Sequence, residues 1–331
     1  MPRTPPGQRR AIAVLVFDGV RLLDVTGPLE VFDVARSMGA PYDVVVCSPD
    51  GADVTTSSGL RLGVTRPAGA VGVVDTLVVP GGEVLVESGA PPELLDAVRL
   101  LAPGARRVTS VCAGSFALGS LGLLDGLRAT THWRHTAELA RRFPTVAVDH
   151  EAIYVRDGRV LTSAGVIAGI DLALALVEED EGDELAHRIG QDMVVFMRRR
   201  GAQPQLSVPA RTARPRRGLF RDLCDHVAAD PGADHSLPAL ARHVGLSVRH
   251  LSRLFKEEVG ATPAEYVSSV RLEAATALIL AGESIAAAAR RSGLGSEETL
   301  RRALRRSQPR PGSATGRHPA APVRRAGCCG C

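Results

Sequence analysis

The sequence lacks a hydrophobic run long enough to span a bilayer. The best candidate, residues 164–177, is short and contains Asp171. An earlier apolar run, residues 11–17, has no small-residue cleavage site and leads directly into Asp18-Gly19. That run therefore indicates a first β-strand and its turn rather than a signal peptide. These absences exclude a transmembrane protein and predict a cytoplasmic location.

Nucleotide-binding and metal-binding signatures are also missing. The sequence has no phosphate-binding loop and no dinucleotide fingerprint. Its six cysteines are either isolated or crowded at the end of the chain, without partners at zinc spacing. We therefore expect neither a metal nor a cofactor, and the isolated thiols fit a reducing compartment.

Lysine is almost absent, and the positive charge is unevenly distributed along the chain. Lys256 is the single lysine. Residues 1–197 contain 17 arginines and 25 acidic residues, whereas residues 198–331 contain 23 basic and 11 acidic residues. The first region fits an acidic soluble domain, and the second has the charge of a polyanion-binding domain.

Hydrophobic patterns divide the chain in a similar way. Within residues 10–195 strand and helix patterns alternate, which predicts an α/β domain with a mostly parallel sheet. Residues 196–217 are rich in arginine, proline and glycine without periodicity, and we interpret them as a linker. Helical periodicity then covers residues 218–306. Residues 307–331 contain so little apolar surface that we expect a disordered tail.

Two segments of the helical region, residues 237–256 and 285–306, repeat one pattern. Each has an apolar helical stripe, then Gly-Leu, then a serine that begins a second helix. A helix-turn-helix needs this layout. Thr262-Pro263 begins an uninterrupted helical stretch that would join the copies. A generic helical bundle with solvated arginines is the alternative. The duplication and the positive charge favour an all-α double helix-turn-helix domain.

The second helix of each copy supplies the candidate DNA-binding residues. Ser247 and Ser296 are predicted to cap these helices. We expect Arg249, His250 and Arg253 to contact bases. We expect two further residues, Lys256 and Arg305, to contact mainly phosphates. The remaining candidates are Ser252, Arg301 and Arg302. Two acids in the first turn of the second copy, Glu297 and Glu298, suit the helix dipole.

The N-terminal region has a strand-turn-helix layout around Cys112. A strand predicted at residues 107–111 leads directly into Cys112-Ala113-Gly114 and a helix. Such a turn exposes its central side chain beside free N–H groups and the positive end of the helix, which lowers the pKa of a thiol. We therefore expect an exposed thiol, with a small buried cysteine as the alternative.

Both regions resemble known families. Residues 219–306 resemble the AraC/XylS DNA-binding domain, most clearly in the segment from Arg290 to Leu304. Residues 10–190 resemble the ThiJ/PfpI family, which has a class I glutamine-amidotransferase-like, flavodoxin-like fold. The motifs that carry this second resemblance are Leu22–Pro28, Val79–Gly82, Cys112–Gly114 and Thr130–Trp133. Together the two regions are similar to GlxA-type transcriptional regulators.

The resemblance implies site residues in the first region. Cys112 occupies the nucleophile position, and Asp24 matches a carboxylate near the thiol in isocyanide hydratases. Gly81, Gly82 and Ala113 would donate backbone N–H groups to an anion or a carbonyl. A further residue, His132, is a candidate to polarise the site, with packing at a helix start as the alternative.

The resemblance also implies partners and one rival function. We expect a non-enzymatic regulator that binds double-stranded DNA as a homodimer and senses a small amine, amide or amino-acid-like effector. The rival is an isocyanide-hydratase-like hydro-lyase with a helical appendage, although those enzymes usually carry threonine where this chain has Ala113. The second copy breaks to Ser307-Gln-Pro where the family continues with Gly-x-x-Pro-x-x-Tyr. We therefore expect DNA binding to rest mainly on the first copy.

Overall fold

The computed structural model describes residues 9–195, 199–280 and 282–307. The chain forms two compact units that divide between Leu206 and Ser207. Of the predicted tail, residues 307–331, all but Ser307 lies outside the described residues. Within the described ranges, no helix is long and apolar enough to cross a membrane.

A seven-stranded sheet forms the centre of the first unit. The strands of this unit are β1 Arg10–Leu15, β2 Tyr42–Ser48, β3 Val54–Thr55, β4 Arg61–Leu62, β5 Arg66–Pro67, β6 Thr76–Val79, β7 Arg107–Val111, β8 Arg128–Ala129, β9 Ala147–Val148, β10 Tyr154–Asp157 and β11 Val160–Ser163. The strand order in the large sheet is β10-β11-β7-β6-β1-β2-β5. Every pairing in it is parallel except the β10–β11 hairpin. The short strands pair separately, β3 with β4 and β8 with β9.

Helices cover the sheet and bury its central strands. They are α1 Leu22–Ser37, α2 Val84–Glu87, α3 Pro92–Leu101, α4 Gly114–Ser120, α5 Thr136–Arg142, α6 Ile167–Glu181 and α7 Asp183–Asp192. Every residue of β6 and β7 is buried, as expected for parallel strands covered on both faces. The structure therefore confirms the α/β prediction.

Helix α1 begins earlier than the sequence pattern indicated. The helical pattern in the sequence runs from about Pro28 to Ser37. In the structure the helix begins at Leu22, so Pro28 lies inside it, where the missing N–H removes one helical hydrogen bond. The early start matters because it places Asp24 in the first helical turn.

The second unit is helical throughout its regular structure. Its helices are α8 Val208–Arg211, α9 Gly218–Ala229, α10 Leu237–His243, α11 Val248–Val259, α12 Pro263–Leu280, α13 Ile285–Arg291 and α14 Glu297–Ser307. The pairs α10–α11 and α13–α14 are the two predicted copies, and α12 joins them as one helix of 18 residues. Gly245 and Gly293 turn the chain within the copies at φ +65° and +77°. The double helix-turn-helix prediction is confirmed.

The structure differs from the predicted linker, residues 196–217. Before the boundary, the Arg199 guanidinium binds the buried Asp171 carboxylate at 2.6 Å. After it, Val208 is buried in the core of the second unit and its N–H donates to Glu273 Oε2 at 2.6 Å. Irregular segments that pack through a few side chains have no hydrophobic periodicity, and a free linker has none either. The sequence pattern alone therefore does not distinguish the two.

Candidate functional site

Cys112 lies at a sharp turn between β7 and α4. Its φ of +55° falls in the left-handed region, which a residue other than glycine rarely adopts. Two hydrogen bonds hold this conformation. The Cys112 N–H donates to the Ser163 carbonyl at 3.0 Å, and the Thr131 hydroxyl donates to the Cys112 carbonyl at 2.8 Å. The predicted strand-turn-helix geometry is present.

Two glycines allow the chain to close around this turn. A Cβ at Gly165, where φ is +88°, would lie 2.6 Å from Cys112 Cα. A Cβ at Gly81 would lie 2.5 Å from Ala113 N and 2.8 Å from Cys112 Cβ. The neighbouring Gly82 instead packs against the carbonyl of Gly19. No larger residue fits at positions 81 and 165 without displacing the turn.

Asp24 is buried beside the same turn and is fixed by two backbone groups. Its Oδ1 accepts the Val166 N–H at 2.7 Å, and its Oδ2 accepts the Gly81 N–H at 3.2 Å. Val166, like Cys112, has a positive φ, +53°. The Gly81 N–H was predicted to bind a ligand, but in this structure it is already engaged by Asp24.

The expectation of an exposed thiol with a lowered pKa is wrong. Cys112 is only 3% exposed, because the glycine contacts close over it. Burial and the negative charge of Asp24 raise the pKa of the Cys112 thiol, and the nearby Ala113 N–H and Arg21 only partly oppose them. Burial likewise raises the pKa of Asp24. The thiolate is the nucleophilic form of cysteine, so this state of the site does not favour it.

His132 lies at the start of a short helical turn, the setting that the packing alternative described, and its Nδ1 accepts the Arg134 N–H at 3.4 Å. It precedes the short 3-10 turn Trp133–His135, and its ring packs against the rings of both Trp133 and His135 at 5.7 Å between centroids. Burial, together with the positive charges nearby, lowers the pKa of His132 to about 4. The imidazole is therefore neutral at pH 7.

Three charged or titratable residues near the turn were missed in the sequence. Glu83 lies 3.3 Å from His135 Nε2 and 3.7 Å from the Arg21 guanidinium. The Arg21 N–H also donates to the Gly81 carbonyl at 2.8 Å, which ties it to the glycine loop. The available signal was position: Arg21 directly precedes α1, and Glu83 directly follows Gly82.

The first unit also contains a cavity of about 10 Å³ between α1, α6 and the sheet. It is lined mainly by apolar side chains from Pro28, Phe32, Val78, Val111, Leu172 and Leu176. This volume holds at most about one water molecule, so the cavity is too small for an effector.

In the second unit, the second helix of each copy, α11 in the first and α14 in the second, is called its reading helix. The two reading helices begin in the same way. The Ser247 hydroxyl accepts the His250 N–H at 3.3 Å, and the Ser296 hydroxyl accepts the Thr299 N–H at 3.2 Å. Both serines therefore act as the predicted N-caps. Leu251 and Leu300, four residues after each cap, are fully buried and turn the opposite face of each helix outward.

The predicted DNA-binding residues lie on these outward faces. The exposed ones are Arg249, His250, Arg253 and Lys256 on α11, and Arg301, Arg302 and Arg305 on α14. The half-buried Ser252 differs, because its hydroxyl donates to the Val248 carbonyl at 2.8 Å within the helix. Arg301 is paired with Glu297 at 2.5 Å. Both helices thus present arginines that can reach a polyanion.

Family comparisons divide the chain into the same two regions. The sequence profile of the DJ-1/PfpI family matches residues 10–179, and that of a helix-turn-helix domain matches residues 240–309. The chain is 29% identical to the HTH-type transcriptional regulator GbdR of Pseudomonas aeruginosa over 286 residues, which cover 84% of this chain and 76% of that protein.

Two further proteins resemble the chain in part. It is 40% identical to the isonitrile hydratase of Pseudomonas putida over 179 residues, which cover 54% of this chain and 75% of that enzyme. A solved ThiJ/PfpI family protein from Pseudomonas syringae superposes with a TM-score of 0.53 at 24% identity, covering 74% of this chain and 95% of that one. This last likeness concerns the fold alone.

Proposed function

The chain belongs to the DJ-1/PfpI family and carries an AraC-type helix-turn-helix region that makes it a transcriptional regulator, and we propose that the helical unit reads DNA while the sheet unit senses a small molecule. The observation that supports DNA reading most directly is the outward face of α11. It combines exposed basic side chains with a buried apolar face on one capped helix. Recognition helices in major grooves have this construction.

In this proposal, Arg249, His250 and Arg253 of α11 contact base edges. Arginine can donate two hydrogen bonds to guanine O6 and N7, which gives sequence discrimination. Lys256 lies one turn further along the same helix and serves mainly to bind phosphate, as does Arg305 of α14. The paired Arg301 and the exposed Arg302 complete the basic surface, and the net positive charge of residues 198–331 supports it.

A selection from random double-stranded DNA by the full chain tests this assignment. We expect enrichment of one sequence. Arg253→Ala should relax the preference at one position, whereas Arg242→Ala, on the exposed face of α10 rather than on the reading helix, should leave it intact. A uniform loss of affinity across all sequences for Arg253→Ala would assign that arginine to the phosphates instead.

The sensor proposal rests on the pair Asp24 and Cys112. A neutral thiol, a buried carboxyl and a glycine loop offer hydrogen-bonding groups, but the thiol is not activated for attack. We therefore propose binding of a small polar effector, an amine, amide or amino-acid-like molecule, rather than catalysis, with Ala113 and Gly82 contributing backbone groups. Because the site is closed around Cys112, binding requires the turn or its neighbours to move.

A thermal-shift screen with such small metabolites tests the sensor. A compound that raises the melting temperature of the wild type but not of Cys112→Ala or Asp24→Ala places the effector at this pair. Equal stabilisation of all three proteins would move the effector site elsewhere. Thr26→Ala, in the same helix but with its hydroxyl bonded to the Leu22 carbonyl, serves as the matched control.

The second candidate function is hydration of an isocyanide. It is favoured by the 40% identity to an isonitrile hydratase and by the position of Asp24 next to Cys112. The buried thiol and Ala113 in place of the usual threonine argue against it. Turnover of small isocyanides by the full chain that disappears in Cys112→Ala would establish this activity, and its absence would leave the sensor.

We also propose that the regulator acts as a homodimer. Two linked reading units bind paired half-sites with a high effective concentration, so a dimer gains affinity without new contacts. Sedimentation of the full chain, free and bound to its selected DNA, tests this. A single chain per DNA site in both states would contradict the proposal.

A further inference from the structure

The reading helices of the two helix-turn-helix copies can be aligned residue by residue from their structures. Each reading helix follows a serine cap whose hydroxyl accepts the N–H three residues later, and each buries a leucine at the fourth position. In this alignment Arg302 is equivalent to Arg253, and Arg305 is equivalent to Lys256. The alignment also places Glu298 at the position that Arg249 occupies in the first copy.

The charge at this one position is therefore reversed. Glu298 is exposed and, by its position in the helix, shares the outward face with Arg302 and Arg305. Its neighbour Glu297 is engaged by Arg301 through hydrogen bonds of 2.5 and 2.9 Å. Within the described part of the chain, Glu298 has no hydrogen-bond or ion-pair partner. An exposed carboxylate thus lies in the first turn of α14, on the same face as the arginines that attract phosphate.

A carboxylate facing DNA is costly unless it receives hydrogen bonds, because it accepts only and the phosphates repel it. In the major groove, the bases offer donors at the cytosine N4 and adenine N6 amino groups. The adenine amino group stands next to the N7 acceptor, which repels a carboxylate, whereas cytosine presents only its amino group there. Cytosine is therefore the base that best relieves the cost.

We propose that Glu298 reads a cytosine in the groove segment contacted by α14. The residue thereby determines specificity by excluding other bases. It lies in the second copy, whose fully buried core residues are Leu300 and three alanines. This inference rests on the proposed DNA-reading function. The exposed arginines of α14 bind the helix to the DNA, and Glu298 determines which base sequence the helix prefers.

Helix-dipole stabilisation is the competing explanation for Glu298, since acids are favoured in the first turn of a helix. Glu297 lies in the same turn and has the same relation to the dipole. Glu297→Gln also removes the ion pair with Arg301, so a role limited to the dipole predicts a loss of helix stability at least as large for Glu297→Gln as for Glu298→Gln, and no effect of either on base preference. Base preference is therefore the measurement that separates the two explanations.

The test is selection from random double-stranded DNA by the full chain, compared for wild type, Glu298→Gln, Glu298→Ala and Glu297→Gln. We expect one cytosine preference of about tenfold in the wild type that disappears in Glu298→Ala. Glu298→Gln should shift this position toward adenine, because an amide can bond both N6 and N7. Glu297→Gln should keep the wild-type profile.

Two outcomes distinguish the failure of this inference from the failure of the proposed function. If the wild type enriches a sequence but neither Glu298 variant changes it, or if Glu297→Gln changes it equally, the assignment of Glu298 is overturned while DNA reading stands. If the wild type enriches no sequence at all, the proposed function itself fails. Circular dichroism of each variant verifies that the helical content is unchanged.

Discussion

The thiol site and the DNA-reading face are built on opposite principles. Cys112 and Asp24 are buried, and their arrangement depends on positive φ angles and on glycines that approach the turn closely. The reading face consists of exposed side chains on a regular, capped helix. A closed site of the first kind tolerates little change in backbone volume. An open face of the second kind tolerates substitution structurally and loses only the contacts made to its partner.

The largest effect should follow from adding one methyl group at the closed site. Gly165→Ala combines a φ of +88° with a Cβ 2.6 Å from Cys112 Cα, so we expect a loss of about 4 kcal/mol in unfolding free energy. At Gly158 φ is +56°, and a Cβ would meet no described atom within 4 Å. Gly158→Ala is the control, expected to cost about 1 kcal/mol. Denaturant unfolding of both variants checks this; equal costs would mean that the turn is not tightly packed.

The next largest effect is the loss of unfolding free energy when a core side chain is truncated, which we expect to differ between the two helix-turn-helix copies. Phe255 in the first copy contacts the rings of Phe220 and Tyr266, whereas the fully buried neighbours of Leu300 in the second copy's core are alanines, with half-buried leucines and isoleucines around them. We expect Phe255→Ala to cost about 3–4 kcal/mol and Leu300→Ala about 2 kcal/mol, because a small core collapses more easily around a cavity. Thermal unfolding followed by helical circular dichroism measures both. A larger cost for Leu300→Ala would reverse the ranking of the two cores.

Arginine substitutions on the open face should change binding and not stability. Arg253→Ala should weaken binding to the selected DNA by about 2 kcal/mol, and Arg302→Ala at the matched position by less, because the first copy has the better supported reading helix. Fluorescence anisotropy with labelled DNA gives both values. An equal or greater loss for Arg302→Ala would show that the second copy carries as much of the binding.

The smallest effect is a pH dependence of stability that arises at His132. Because the pKa of His132 is lowered to about 4 in the folded protein, the unfolded chain, with a histidine pKa near 6.5, takes up a proton first as the pH falls. Stability should therefore decline between pH 6.5 and 4, by about 1 kcal/mol after solvent screening. His132→Gln should reduce that decline, and the part that remains comes from His135, whose pKa burial also lowers, whereas His150→Gln, at an exposed position, should leave the decline unchanged. Unfolding curves at several pH values decide between these outcomes.

Periodicity in the sequence predicted the open face better than the closed site. The serine caps, the single helix α12 and the outward position of Arg253 all follow from local patterns, and the structure has them. The strand before Cys112 was also predicted to the residue. The burial of Cys112 was not, because it depends on Gly165, which is distant in the sequence and approaches only in the fold.

The same reasoning explains the other differences. The helical pattern in the sequence became recognisable only near Pro28, but α1 packs on α6 through Gly27 and Ile170 and begins before this proline. Residues 196–217 were predicted to be a linker because the anchors of the described part, such as Arg199 on Asp171, are single long-range contacts. Long-range contacts leave no periodic trace in a sequence.

The central claim is that the helical unit reads a specific DNA sequence. The most direct test is the affinity ratio of the full chain for its selected sequence and for a scrambled duplex of the same composition, measured across a salt series. We predict a ratio of about 10³ or more at physiological salt, with both affinities falling as salt increases. Equal affinity for the two duplexes throughout the series would contradict the account.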